Sequence, residues 1–459
     1  MPSRPAQAAT AAPAPMPPLT RRPAEPRFTS RAVEETIARI RALTGPRGRL
    51  GEMFEKCFPN TLDSTVDFGL LDGRPDTFVI TGDIAAMWLR DSSAQVWPYL
   101  TLATKDAMLR QLLAGVINRQ TKCILIDPYA NAFNKDPTGS PFAGDQTVMK
   151  PEIHERKWEL DSLCYTVRLA HGYWRRTKDA SCFDAAWRQA SHLILDTLRA
   201  QQRKSGDGPY SFERVTGWNP DSVPRQGLGN PIRPVGLIVS IFRPSDDAAI
   251  FPFLVASNFF AVASLRQLAE MHAVLFSDQR FVAQCRALAD EVETALRRYA
   301  VVDHPRHGAV YAYEVDGYGN RLCIDDANVP NLLSLPYLGC CAAGDPVYRA
   351  TRALVLSQDN PWFFQGSAAE GLGSPHSPAG RIWPMGLIMR ALTSNDDSEI
   401  LGCLRMLART DDGTGFMHEA FDKDDASKYT RPWFAWANSL FGELVLKLSE
   451  KRPALLRGV

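Results

Sequence analysis

Apolar residues recur at the three- and four-residue spacing of amphipathic helices through most of the chain. Thr29-Ser30 can cap a helix over 31–43, where Val33, Ile37, Ile40 and Leu43 fall on one stripe. The same pattern predicts helices at about 84–103, 106–120, 158–177, 181–202, 247–274, 278–299, 328–341, 345–357, 382–393, 396–410 and 432–450. With the first, that makes about twelve. Strand signals are few: Thr77 to Ile80, and Val310 to Tyr313 facing Arg321 to Ile324 across a Gly317-Tyr318-Gly319-Asn320 turn. No sequence repeat at the roughly 33–45-residue period of helical solenoids is found. The predicted fold is therefore all-α, a closed toroid of six helix pairs with a few short strands. Its inner helices should line a funnel, and loops at one end should build a pocket.

Composition sets the boundaries. The first 26 residues hold eight prolines and seven alanines, so residues 1–27 are expected to form a disordered tail and 28–459 a single domain. Lys plus Arg is 52 and Asp plus Glu is 51, a net charge of +1 that argues against nucleic acid or an anionic membrane as the main partner. The apolar run Phe251 to Leu265 is interrupted by Ser257, Asn258 and Ser264, short of the ~18 residues a spanning helix needs. Nine scattered cysteines with no C-x-x-C read as free thiols in a reducing compartment. No N-x-S/T acceptor and no cleavable leader are visible, so a cytoplasmic location is expected, or a periplasmic one if a leader lies upstream. Oligomeric state is not legible.

Five stretches are too polar and too aromatic for ordinary loops. Thr81 to Ser92 sets Asp83, Arg90 and Asp91 around Trp88 at the start of an apolar helix. Asp83 can be a helix cap. Arg90 and Asp91 point some 100° apart on a helix, so they are expected to reach separate partners rather than each other. An Arg and an Asp flanking a ring can bind vicinal hydroxyls while Trp88 stacks on a sugar's apolar face. Lys150 to Ser162 is dense in charge before an apolar helix, readable as a solvated helix start. Phe242 to Ala248 carries Asp246-Asp247, of which Ser245 or Asp246 can cap a helix, leaving one carboxylate for chemistry. Gly373 to Pro384 is a loop placing His376 and Trp383 at a mouth. Glu419 sits among Phe416, Met417 and Phe421, which implies either a function or a basic partner. His154-Glu155 lacks the second His of a zinc motif, and His304-Pro305-Arg306-His307 shows no carboxylate partner in sequence. No catalytic metal and no cofactor are expected.

At these residues the chain resembles glycoside hydrolase family 125, the exo-acting α-1,6-mannosidases. The resemblance rests on T-G-D-I-x-A-M-W-L-R-D-S at 81–92, R-P-S-D-D-A at 243–248 and A-N-x-P-x-L-L-S-L-P-Y-L-G at 327–339. It extends through S-P-H-x-P at 374–378, W-P-x-x-L-I-M at 383–389, H-E at 418–419 and R-x-W-F-A-W-A-N-S-L-F-G-E-L at 431–444. It implies an (α/α)6 barrel and metal-independent, inverting removal of terminal mannose from α-mannosides or N-glycan-type oligosaccharides. It implies Asp246 as general acid, with Asp247 the alternative within the doublet, and Glu419 as general base. The pocket walls would come from Asp83, Trp88, Arg90, Asp91, His376 and Trp383. If Asp246 is the acid, burial near other acids should raise its proton affinity. Competing readings are another helical-barrel sugar enzyme, whether glucan hydrolase or phosphorylase, a non-catalytic carbohydrate-binding protein, or a protein-binding toroid.

Overall fold

The computed structural model describes residues 22–459. The tail expected at 1–27 falls mostly outside the described residues. Within its last part, Arg22 bridges Asp63 and Glu34 at 2.8 Å each.

Thirteen α-helices occur among the described residues: α1 Arg31–Thr44, α2 Arg49–Cys57, α3 Asn60–Ser64, α4 Leu89–Val96, α5 Ala107–Ile126, α6 Leu160–Thr177 and α7 Ala185–Ala200, followed by α8 Val255–Leu275, α9 Gln279–Tyr299, α10 Pro346–Val355, α11 Pro384–Leu392, α12 Asp397–Arg409 and α13 Ala435–Lys451. They divide by burial. All eight residues of α4 are buried, and α6, α8 and α13 are buried around most of their circumference. By contrast α1, α7, α9 and α12 bury one stripe each. A helix apolar all round belongs inside, and a one-sided helix belongs outside. The inner helices α4, α8, α11 and α13 are backed in turn by α5, α9, α12 and the α1–α2 pair, while α6 stands between α4 and α8 against α5, and α7 bridges α5 and α9. This is the (α/α)6 toroid.

The sixth inner position departs from expectation. Residues 328–341 form a chain of turns, not a helix. Pro330 and Pro336 each remove a backbone donor and disfavour helix at the preceding residue. Asp325 instead accepts the Leu332 and Leu333 N–H groups, and Asn331 and Ser334 bond each other's backbone. These local bonds replace the helical ladder, and α10 packs outside them, with Tyr348 donating to the Leu333 carbonyl at 2.9 Å.

Short strands precede the inner helices. Met87–Trp88 pairs with Ala132–Phe133, which pairs with Ile153–Glu155, ahead of α4 and α6. Phe253–Leu254 pairs with Glu314–Val315 ahead of α8, and Arg381–Ile382 with Phe421–Asp422 ahead of α11. The helices expected from 84 and 247 therefore begin later, at Leu89 and Val255. The Gly317–Asn320 turn does join two strands, but these are Glu314–Val315 and Arg321–Leu322. The residues near 310 pair backwards instead, Gly308–Tyr311 with Val301–His304. Thr77 lies in an unexpectedly long hairpin, Val66–Leu71 with Arg74–Val79, which lies on α5.

Candidate active site

A cavity of about 60 Å³, open to solvent, lies where the inner helices begin. Trp88 is the residue before α4, Glu159 before α6, Trp383 before α11 and Phe434 before α13, and none of these starts has a side-chain cap. Trp88, Trp383 and Phe434 line the cavity, while Glu159 bonds to Arg90 of its wall. Four positive helix ends thus gather around one polar site, which favours anionic groups there.

Of the residues expected at the pocket, Trp88, Arg90, Asp91, Asp246, His376, Trp383 and Glu419 line it together. Asp83 and Asp247 do not. Asp83 precedes the strand before α4 and is not a helix cap; it accepts from Arg431 Nε at 2.7 Å. Asp247 is buried behind the wall, 3.3 Å from His376 Nδ1 and accepting from Ser245 Oγ at 3.0 Å. Neither Ser245 nor Asp246 caps a helix, because 243–248 is a tight turn. The Asp246 N–H donates to the Arg243 carbonyl at 2.9 Å, and the Arg243 N–H to the Asp247 carbonyl at 2.8 Å. The turn puts Asp246 at φ +66°, in the left-handed region that Asp tolerates better than most residues. Arg243 anchors it to buried Glu314 at 2.6 Å.

Arg90 is the hub. Its Nη1 donates to Glu159 at 2.6 Å and to Asp161 at 3.4 Å, and its Nη2 to Asp246 at 3.0 Å. Contrary to the expectation of separate partners, its Nε also lies 3.4 Å from Asp91 Oδ2. A step of about 100° does not keep adjacent side chains apart when both lie in the first turn of a fully buried helix. Burial pushes Asp91 and Asp161 each up to about 6 against the pull of Arg90. Burial drives Glu159 well above the carboxylate range, and the charges of Asp246 and Asp161 add to it.

Asp246 behaves oppositely to expectation. Burial alone would raise it, but Arg90, the hydrogen bond with Glu159, Lys157 and His376 together hold it below the usual carboxylate range. Lys157 donates to the Asp246 carbonyl at 2.8 Å and to Asp221 at 2.5 Å. His376 is raised to about 9: burial opposes its charge, yet the bond to Asp247 and the charges of Asp247, Glu419 and Asp246 outweigh it.

Glu419 has the basic partner that sequence left open, and it lines the cavity as well. Arg431 Nη1 reaches it at 3.2 Å, and the Thr430 hydroxyl donates to it at 2.7 Å. Arg431 therefore clamps Glu419 and Asp83 at once. Gly82 makes room for this corner at φ +123°, where a Cβ would lie 2.9 Å from the Trp433 ring. Trp88 Nε1, Arg90 Nε and Asp91 Oδ2 are buried with no hydrogen-bond partner among the described residues. Arg90 Nε and Asp91 Oδ2 face each other at 3.4 Å, which leaves Trp88 Nε1 as the unpaired donor of this wall, beside the Trp383 and Trp436 rings.

Residues that sequence reasoning missed are Arg431, Lys157, Glu159, Asp161, Asn328 and Trp436. The signal for three of them was present in the charge-dense 150–162 stretch, but periodicity does not tell a buried charge from a solvated one. His307 does find a carboxylate, Asp359 at 2.8 Å, which Arg306 also engages. Neither that group nor the grouping of His192, His272 and Asp278 contributes to the cavity lining.

A family model described as metal-independent alpha-mannosidase (GH125) matches residues 48–446. The chain belongs to this family. GH125 membership makes it a glycoside hydrolase, an α-mannosidase that works without a metal. The Schizosaccharomyces pombe "Meiotically up-regulated gene 157 protein" is 41% identical over 451 residues, spanning 94% of this chain and 88% of that one. A solved Streptococcus pneumoniae metal-independent α-mannosidase, in a non-productive complex with α-1,6-mannobiose, superposes with a TM-score of 0.89 at 41% identity, over 93% of this chain and all of that one. A bacterial glucoamylase shares the fold at TM-score 0.56 and 12% identity, over 88% of this GH125 chain and 57% of the glucoamylase.

Proposed function

We propose that the protein is an exo-acting, inverting α-1,6-mannosidase that takes single mannose residues from mannose-containing oligosaccharides. Asp246 protonates the departing glycosidic oxygen, and Glu419 removes a proton from the attacking water. The reading is carried by one observation: these two carboxyls line the same cavity in different electrostatic settings, Asp246 among Arg90, Lys157 and His376, and Glu419 on Arg431 and Thr430. Different settings let two carboxyls hold different protonation states at one pH. Asp91 and Arg90 supply hydrogen bonds to vicinal hydroxyls, and the tryptophans stack on the apolar sugar face. Asp247 orients His376 and does not compete for the acid role, since it is buried away from the cavity. The mannobiose held by the pneumococcal relative supports the linkage. Nine free cysteines support a reducing, cytoplasmic setting.

The test is release of mannose from α-1,6-mannobiose beside its α-1,2 and α-1,3 isomers. Cleavage confined to the α-1,6 isomer is expected. Equal cleavage of all three, or of none, would contradict the reading.

A further inference from the structure

The arrangement around Arg90 holds more acid than base. Asp91, Glu159, Asp161 and Asp246 all lie within 3.4 Å of this one guanidinium. The other cations facing the group are already shared: Lys157 with Glu155 and Asp221, His376 with Asp247, and Arg431, which acts on Asp91, with Asp83 and Glu419. Uncompensated charge in a buried setting neutralises by taking up a proton. Glu159 is the natural holder. Its side chain is fully buried, and its Oε1 has no partner among the described residues. Asp246 retains 28% exposure and faces the cations. Glu159 and Asp246 sit side by side on the two terminal nitrogens of this one guanidinium, at 2.6 and 3.0 Å, and a proton shared between them favours Glu159.

This creates a difficulty for the proposed mechanism. A general acid must carry a proton, yet Asp246 is surrounded by groups that favour its anion. We infer that Glu159 is a positioning residue that stores the acid's proton and passes it to Asp246 when a glycosidic oxygen docks. This inference rests on the proposed function. In the empty site the proton resides on Glu159 and bridges to the Asp246 carboxylate. On docking it moves across the bridge, and Asp246 delivers it to the leaving oxygen. The C1–O bond breaks with its electron pair on that oxygen, which gains the proton. The attacking water forms the new C1–O bond and loses one proton to Glu419, which returns it to solvent. The pair, now with both carboxyls ionised, reloads one proton from solvent through Asp246, its only member with exposed side chain. One proton is taken from solvent and one given back per turnover. Ser162 Oγ donates to Glu159 at 2.8 Å, stabilising the ionised form that exists after transfer.

The test is the pH dependence of kcat/KM on α-1,6-mannobiose for the unmutated protein, Glu159→Gln and Ser162→Ala, with α-mannosyl fluoride as a substrate that needs no leaving-group protonation. Glu159→Gln leaves Asp246 alone among its cations, so the alkaline limb should fall by at least about one pH unit with the disaccharide. Fluoride turnover should change less than about threefold. Ser162→Ala removes a bond to the ionised form and should move the same limb upward. It provides the reading even if Glu159→Gln does not fold. A limb that stays in place in folded Glu159→Gln, or in Ser162→Ala, overturns the role of Glu159. An unmutated protein that leaves the disaccharide intact but folds normally overturns the mannosidase reading, and this role with it.

Discussion

Asp246 combines two properties that seldom meet in one side chain: a left-handed backbone at φ +66° and a carboxyl wedged between Arg90 and the Lys157-bonded turn. Asn tolerates that backbone as Asp does, so Asp246→Asn tests chemistry rather than strain. It should slow cleavage of a sugar aglycone by about 10²–10⁴-fold while sparing α-mannosyl fluoride, because only the former requires a proton. Glu419→Gln should slow both substrates, since water must be activated for each. Steady-state rates on the two substrates check this pair, and equal losses in both variants would remove the distinction between acid and base. Arg431 acts on the same site from one remove. Arg431→Met leaves Glu419 and Asp83 without their shared cation, and kcat should fall at least about tenfold while the fold persists by circular dichroism. Unchanged kcat would make the clamp dispensable.

At the level of helices and strands, capping and tertiary cross-links decide where elements begin. Asp106 caps α5 by accepting from Met108 and Leu109 N–H groups, and it also accepts from Ser30, the cap of α1, at 2.6 Å. Asp106→Ala therefore strips one cap and unties another. A loss of about 1–2 kcal/mol is expected in urea denaturation, with an unchanged slope. No loss would mean that the α1–α5 junction is held by packing alone. The helices themselves were legible because α1, α7, α9 and α12 each carry one apolar stripe, and α8 is apolar all round. The short strands were not, because two-residue pairings such as Met87–Trp88 with Ala132–Phe133 leave no period to read. The 328–341 stretch misled because Leu332, Leu333, Leu335 and Leu338 mimic helical spacing, whereas its two prolines and the reach of Asp325 decide the backbone. The site was legible in residue type, since Arg90, Asp246 and Glu419 stand out on their own segments. Their mutual contacts were not, because Glu159 and Asp246, 87 positions apart in sequence, converge on Arg90 only in the folded chain.

The whole molecule sets its site at the gathered N-termini of inner helices, and its stability should therefore respond to the charges kept there. His376 is raised to about 9 by Asp247, overcoming its burial, against an ordinary value near 6.5. A raised histidine stabilises fully below its unfolded value, and that contribution is lost as pH rises through the folded one. The melting-temperature advantage of the unmutated protein over His376→Gln should thus be full below pH ~6.5 and fade towards pH ~9. A difference that is flat across this window would contradict the His376–Asp247 pairing. The central claim, that an acid and a base act across the cavity on water and leaving group in a single displacement, is tested most directly by proton NMR of the first mannose released from α-1,6-mannobiose. The account predicts β-mannose appearing before mutarotation; α-mannose as the first-formed anomer would contradict it.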